Sequence, residues 1–92
     1  MKPIRYSDHA RLQMSLRGAT EEEVTISIRA GKWEAAKMGR FRSSQQFNFN
    51  RVSLTNQKFY KYKTVDAFFA EERNEIVVIT VKVYYSNEEV RS

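Results

Sequence analysis

Apolar positions follow two different periods along this chain, and the change falls at Gly31. Before it they recur at three- and four-residue spacing; after it they alternate. The run Ser7-Asp8-His9-Ala10-Arg11-Leu12-Gln13-Met14-Ser15-Leu16-Arg17-Gly18 predicts a helix from Ser7 to Arg17. Ser7 suits the N-cap, because its hydroxyl can accept from a free first-turn amide. Asp8 complements the positive end of the helix dipole. Gly18 suits the position just past the end, where a left-handed backbone costs glycine little. Thr20-Glu21-Glu22-Glu23 is a capping box, with Ala19 and Val24 at the staple positions around it. A second helix then runs to Ala30, with Val24 and Ile28 facing inward and Gly31 as the stop.

At roughly 100° per residue, His9, Gln13 and Arg17 fall on one stripe of the first helix. Leu12 and Leu16 flank it on one side, Ala10 and Met14 on the other. The expectation is a polar stripe in the middle of the packed face, where each group needs a partner to offset its desolvation.

Beyond Gly31, Lys32 to Met38 and Phe41 to Ser53 read as two strands around a turn at Met38-Gly39-Arg40. Thr55-Asn56-Gln57 is a turn, and Phe59 to Glu71 a long strand with Val65, Ala67 and Phe69 on one face. Glu75 to Tyr85 is the strongest strand: Val77, Ile79, Val81, Val83 and Tyr85 form one apolar face, and Ile76, Val78, Thr80, Lys82 and Tyr84 the other. Lys2 to Tyr6 is an extended lead-in. The expected fold class is α+β: two N-terminal helices packed on a twisted antiparallel sheet of about four strands. Residues 1–85 form the single domain and residues 86–92 a polar tail.

Ninety-two residues support one modest core. The absence of cysteine excludes a disulfide framework and thiolate zinc sites, and it is compatible with a cytoplasmic location. With one histidine, no metal site and no cofactor are expected. No apolar run approaches the roughly 20 residues that span a bilayer, and Met1-Lys2-Pro3-Ile4-Arg5 lacks a signal-peptide core, so no membrane partner is expected. The formal charge is +5. It is concentrated in Arg29, Lys32, Lys37, Arg40, Arg42, Arg51, Lys58, Lys61 and Lys63, against Glu34 alone in that stretch. Trp33, Phe41, Phe47, Phe49, Phe59, Tyr60 and Tyr62 interleave with these cations. Such a zone points to a polyanion, RNA first and an acidic protein second.

Ser7-Asp8-His9-Ala10, Arg17-Gly18-Ala19-Thr20, Glu23-Val24, Gly31 and Val78-Ile79-Thr80-Val81 resemble the DUF 4258 family. Those proteins share a Ser/Thr-x-His-Ala opening, an Arg-Gly-Ile-Ser/Thr joint between two helices and a late Val-Ile-Thr strand. The resemblance covers roughly residues 4–85. It implies a RelE/ParE-like or barnase-like architecture, a group with many metal-independent ribonucleases and toxins of toxin–antitoxin systems, and hence a cognate antitoxin as partner. Two positions depart from it. Gln13 stands where many members carry Arg, and Ala19 where Ile is usual.

Metal-free RNA cleavage needs a base for the 2′-OH, an acid for the leaving 5′-oxygen and cations for the charge that builds on phosphorus. His9, in the first turn of a helix, can serve as the base near neutral pH, and the free amides there can hold phosphate. Arg17 is the expected electrostatic clamp. Lys82 or Tyr84 can supply the acid. Gln13, Arg40, Arg42 and Thr80 are the expected substrate contacts. The rival reading is a non-catalytic nucleic-acid or protein-binding module on the same fold, which the Gln13 departure favours. A third is pairing through an exposed sheet edge.

Overall fold

The computed structural model describes residues 2–90; Met1, and Arg91 and Ser92 at the end of the expected tail, lie outside the described residues. The order of elements is β1 (Ile4–Tyr6), α1 (Asp8–Arg17), α2 (Glu21–Ala30), β2 (Glu34–Ala35), a 3-10 turn (Lys37–Gly39), β3 (Phe41–Val52), β4 (Phe59–Glu71) and β5 (Ile76–Ser86). The class is α+β. The sheet has five strands in the order β1-β5-β4-β3-β2. It is mixed, because β1 runs parallel to β5 while every other pair is antiparallel.

Both helices start and stop on the residues that chemistry selects. Ser7 Oγ accepts from the Ala10 amide at 3.0 Å. Gly18 takes the left-handed conformation, φ 85°, and its amide donates to Met14 O at 2.9 Å. Both halves of the capping box form: Glu23 N to Thr20 Oγ1 at 3.1 Å, and Thr20 N to Glu23 Oε1 at 3.0 Å.

The sheet departs from the sequence pattern in four places. The expected lead-in at Lys2–Tyr6 contains β1. Pairing continues past both of its ends, with Ile76 N donating to Pro3 O at 2.9 Å and Ser7 N to Val78 O at 3.0 Å. The expected strand from Lys32 to Met38 shrinks to Glu34–Ala35, because Met38 adopts a left-handed backbone (φ 62°) that a ladder cannot accommodate. Ser86, expected in the tail, is the last residue of β5, opposite Tyr62. Beyond it, Asn87, Glu88 and Val90 hydrogen-bond to Lys61 and Gln46 of the sheet.

The fourth departure, inside β5, rearranges its faces. Phe68 pairs with Thr80 but Phe69 pairs with Val78, so Ile79 is an extra residue, a β-bulge. Parity switches across it. Ile76 and Val78 before the bulge, and Val81 after it, are the buried residues of β5. The uniform alternation expected for Val77, Ile79 and Val81 is therefore broken: Val77 and Ile79 are only half-buried.

The core face of the sheet carries rows such as Ser43–Ala67–Val81 and Gln45–Val65–Val83. Ala10, Met14, Ala19, Val24 and Ile28 share one buried cluster with Val65, Ala67, Phe69, Val78 and Val81. Ser27 Oγ reaches Ser43 Oγ at 3.2 Å and Val65 O at 3.3 Å. One cation is buried here. Lys63 is 4% exposed and donates to Gly18 O and Glu23 Oε1, each at 2.9 Å. It ties the joint between the helices to β4, and its pairing with Glu23 offsets the cost of burying it.

The two left-handed glycines separate backbone strain from crowding. Gly18→Ala is expected to cost about 1–2 kcal/mol for the left-handed backbone, plus the displacement of Tyr85 Oη, which stands 3.0 Å from the new Cβ. Gly39→Ala (φ +71°, nothing within 4 Å) should cost the backbone share alone. Urea midpoints should show the larger loss for Gly18→Ala; equal losses would mean that Tyr85 does not crowd the site.

Candidate functional site

The second face of the sheet, opposite the core rows, has its own rows: Arg42–Phe68–Thr80, Ser44–Asp66–Lys82 and Gln46–Thr64–Tyr84. Residues that pair across neighbouring strands point the same way, so Arg42, Thr80, Lys82 and Tyr84 lie on one surface. His9 joins them from α1, its Nε2 lying 3.3 Å from Thr80 Oγ1. Which atom donates depends on the imidazole tautomer. The bulge at Ile79 makes this meeting possible, because it sets Thr80 on the second face just past the point where β1 stops pairing with β5.

The polar stripe of α1 is not in the middle of a packed face. Ala10 and Met14 are the buried residues, whereas Leu12 and Leu16 are exposed. The helix is rolled so that His9 and Arg17 are exposed and Gln13 is half-buried. The roll places Arg17 against the strand: its Nη1 donates to Val81 O at 3.3 Å, while Ser7 Oγ donates to Ile79 O at 3.1 Å. The side chains of Arg17 in α1 and of its N-cap Ser7 thereby hydrogen-bond to the main chain of β5 where β1 no longer does. Tyr85 Oη answers by donating to Arg17 O at 2.9 Å.

The remaining expected residues are arranged unequally. Lys82 is exposed, with its Nζ 5.3 Å from the centre of the Phe68 ring, and Tyr84 is exposed beside it. Arg42 is paired. Its Nη2 lies 2.8 Å from Asp66 Oδ2 and its Nη1 3.3 Å from Glu34 Oε1. The hydrogen bonds to Asp66 raise its affinity for its proton still further above the ordinary guanidinium range. Arg40 follows the 3-10 turn, where its amide donates to Lys37 O and its carbonyl accepts from Ala36 N. It has no ion pair among the described residues.

Asp66 is the residue the linear reading missed. It is 3% exposed and sits at the centre of the second face, accepting from Arg42 and from Ser44 Oγ. A signal was present: Asp interrupts an otherwise apolar stretch at Val65-Asp66-Ala67-Phe68-Phe69, and a buried carboxylate in a central strand requires cationic or hydroxyl partners. Its presence, with Glu23 on Lys63, changes the charge map. Arg42 and Lys63, both counted in the basic zone, are neutralised, whereas the zone's other cations form no ion pair among the described residues. The aromatic residues also divide. Trp33 and Phe41 pack with Phe69, whereas Phe59 stays exposed.

Among the described residues no three of His, Cys, Asp and Glu come together as a metal-ligand group. No helix among the described residues is long and apolar enough to cross a membrane. No protein-family model, curated protein or solved structure matches the chain.

Burial pushes the Tyr85 phenol above its ordinary value of 10.0; the nearby Glu23 carboxylate adds to this and Arg51 opposes it. A raised folded value means that the contribution is fully present below pH 10 and is lost as pH climbs through the raised value. Tyr85→Phe should lower stability at neutral pH by about 1 kcal/mol through loss of the bond to Arg17 O. It should also make the alkaline decline shallower. Denaturation midpoints across the alkaline range check this; an unchanged alkaline slope would remove Tyr85 from the account.

Proposed function

We propose that this chain is a metal-independent endoribonuclease-like toxin acting on RNA in the cytoplasm, with the second face of the sheet as its RNA track. The observation that carries the reading is the approach of His9 Nε2 to Thr80 Oγ1. It brings the only histidine of the chain to the surface that holds Lys82 and Tyr84. On this reading His9 takes the proton from the ribose 2′-OH as that oxygen attacks phosphorus. The bond from phosphorus to the 5′-oxygen breaks, and Lys82 or Tyr84 supplies the proton to the leaving oxygen. The products are a 2′,3′-cyclic phosphate and a 5′-hydroxyl end. Lys82 and the uncommitted N–H groups of Arg17 face the charge that develops on phosphate. Gln13, Arg40 and Thr80 orient the strand. Arg42 contributes shape and hydrogen bonding more than charge, because Asp66 already balances it. The resemblance to the DUF 4258 family supports the same class and adds a cognate antitoxin as partner.

A second reading, a non-catalytic RNA-binding module, is favoured by a different observation. Two of the expected phosphate ligands are engaged within the fold, Arg42 by Asp66 and Arg17 by Val81 O.

Induced expression in a bacterial host, wild type beside His9→Ala, separates the two. Growth arrest with new RNA ends is expected for wild type. His9→Ala should lose about 10²-fold or more of the cleavage rate with an unchanged melting temperature. Cleavage that survives His9→Ala sinks the proposed chemistry, and RNA binding without cleavage by wild type selects the module. Under either reading Lys82→Gln should weaken RNA binding and reduce the salt slope by about one unit. A slope unchanged by Lys82→Gln would move the track off this face.

A further inference from the structure

A groove of about 780 Å³ runs between the C-terminal end of α1 and the far end of the β3–β4 hairpin. Leu16, Val52, Leu54 and Phe59 line it, with Arg17 and Arg51 among the polar walls. These four apolar side chains are 62%, 51%, 93% and 53% exposed. Single exposed apolar residues are ordinary, but several sharing one concavity mark a contact surface. The hairpin tip that presents them is firmly built. Ser53 is fully buried; its amide donates to Lys58 O at 2.7 Å and its carbonyl accepts from Gln57 N at 2.9 Å. Its hydroxyl lies 2.8 Å from Thr55 Oγ1. With Ser53 turned inward, Val52 and Leu54 on either side of it are left outside.

The charge of the groove is one-sided. No acidic residue lines it. Arg17 and Arg51 have no carboxylate partner among the described residues, and neither have Lys58 and Lys61 on the same hairpin. Lys63, the other lining cation, is already paired with Glu23. The guanidinium of Arg51 lies 5.1 Å from the centre of the Phe49 ring, which orients it at the groove wall. An occupant must therefore bring aliphatic or aromatic anchors and negative charge together. A nucleic acid brings the charge, but its sugar–phosphate backbone has no complement for Leu16, Val52 and Leu54. A protein segment brings both.

We propose that this groove docks an acidic, amphipathic peptide segment of a protein partner. The apolar anchors of the segment cover Leu16, Leu54 and Phe59, and its Asp or Glu side chains face Arg17 and Arg51. The groove shares Arg17 with the proposed RNA site but contains none of His9, Lys82 and Tyr84, and docking there does not depend on RNA cleavage.

The test uses a phage-displayed library of random peptides, selected on the wild-type protein and counter-selected on the double variant Leu54→Glu/Phe59→Glu. Both side chains are exposed, so the variant is expected to fold, and circular dichroism melting checks this. Enriched peptides should combine two or more large apolar residues with an excess of Asp and Glu. A synthetic copy of the best one should bind about tenfold or more weakly to the double variant, as loss of central anchors produces. Arg51→Glu should weaken it as well, while His9→Ala leaves it unchanged. Amide chemical shifts should move at residues 15–18 and 49–54. The proposal is overturned by a failure to enrich any peptide, by neutral or basic consensus sequences, or by peptides indifferent to the double variant. It is equally overturned if an RNA oligonucleotide, and no peptide, moves those amides.

Discussion

The outer edge of β5 must satisfy its main-chain carbonyls, and much of the arrangement follows from how it does so. As far as Val78 the partner is β1 and the residue after it, Ser7, whose amide donates to Val78 O. Past Val78 the strand bulges, and α1 and its N-cap take over with side chains, Ser7 Oγ to Ile79 O and Arg17 to Val81 O. A main-chain acceptor left without a partner against a packed helix costs on the order of 1–3 kcal/mol, so the helix is held where its donors can reach. That requirement sets the roll of α1. The same roll buries Ala10 and Met14, leaves Leu12 and Leu16 outside, and delivers His9 to Thr80.

Charge in this protein is sorted by depth. Two cations are neutralised by carboxylates that lie far away in sequence, Lys63 by Glu23 under the helix joint and Arg42 by Asp66 on the second face. In both places burial requires the pairing. Exposed ion pairs such as Arg5–Glu75 and Lys2–Glu71, on the β1 side, are worth little by comparison. The cations without an ion pair among the described residues include Lys82 on the second face, Arg40 after the 3-10 turn, and Arg17, Arg51, Lys58 and Lys61 at or near the groove at the end of α1. Part of the net charge of +5 is thereby offered on two surfaces that share Arg17, one flanked by an imidazole and a phenol, the other by aliphatic side chains. The chemistry each surface can recognise differs for that reason.

Local signals in the sequence were the reliable ones. The N-cap at Ser7, the left-handed Gly18, the capping box at Thr20–Glu23, the turn after Ser53 and the long strands β3 and β4 each depend on contacts within a few residues, and each was legible. β1 was not readable as a strand, because three residues carry too little pattern and its partner lies some seventy positions away. The candidate site was half legible. Thr80, Lys82 and Tyr84 share a face by simple alternation, and Arg42 joins them only through the register of β3 on β4. Asp66, which binds Arg42, was overlooked because its role is set entirely by what pairs beside it.

The chain by itself determined the helix ends, the change of period at Gly31, the positive charge and the placement of a single histidine in a first helical turn, since these rest on neighbouring residues or on composition. Only the tertiary structure decided which way α1 rolls, where β5 breaks its alternation, which cations are spent on buried carboxylates, and that Leu16 and Leu54 border one groove. Those outcomes belong to contacts between distant segments. A one-residue bulge reverses every side chain beyond it, and alternation read along the chain cannot register the shift until the partner strand is in place.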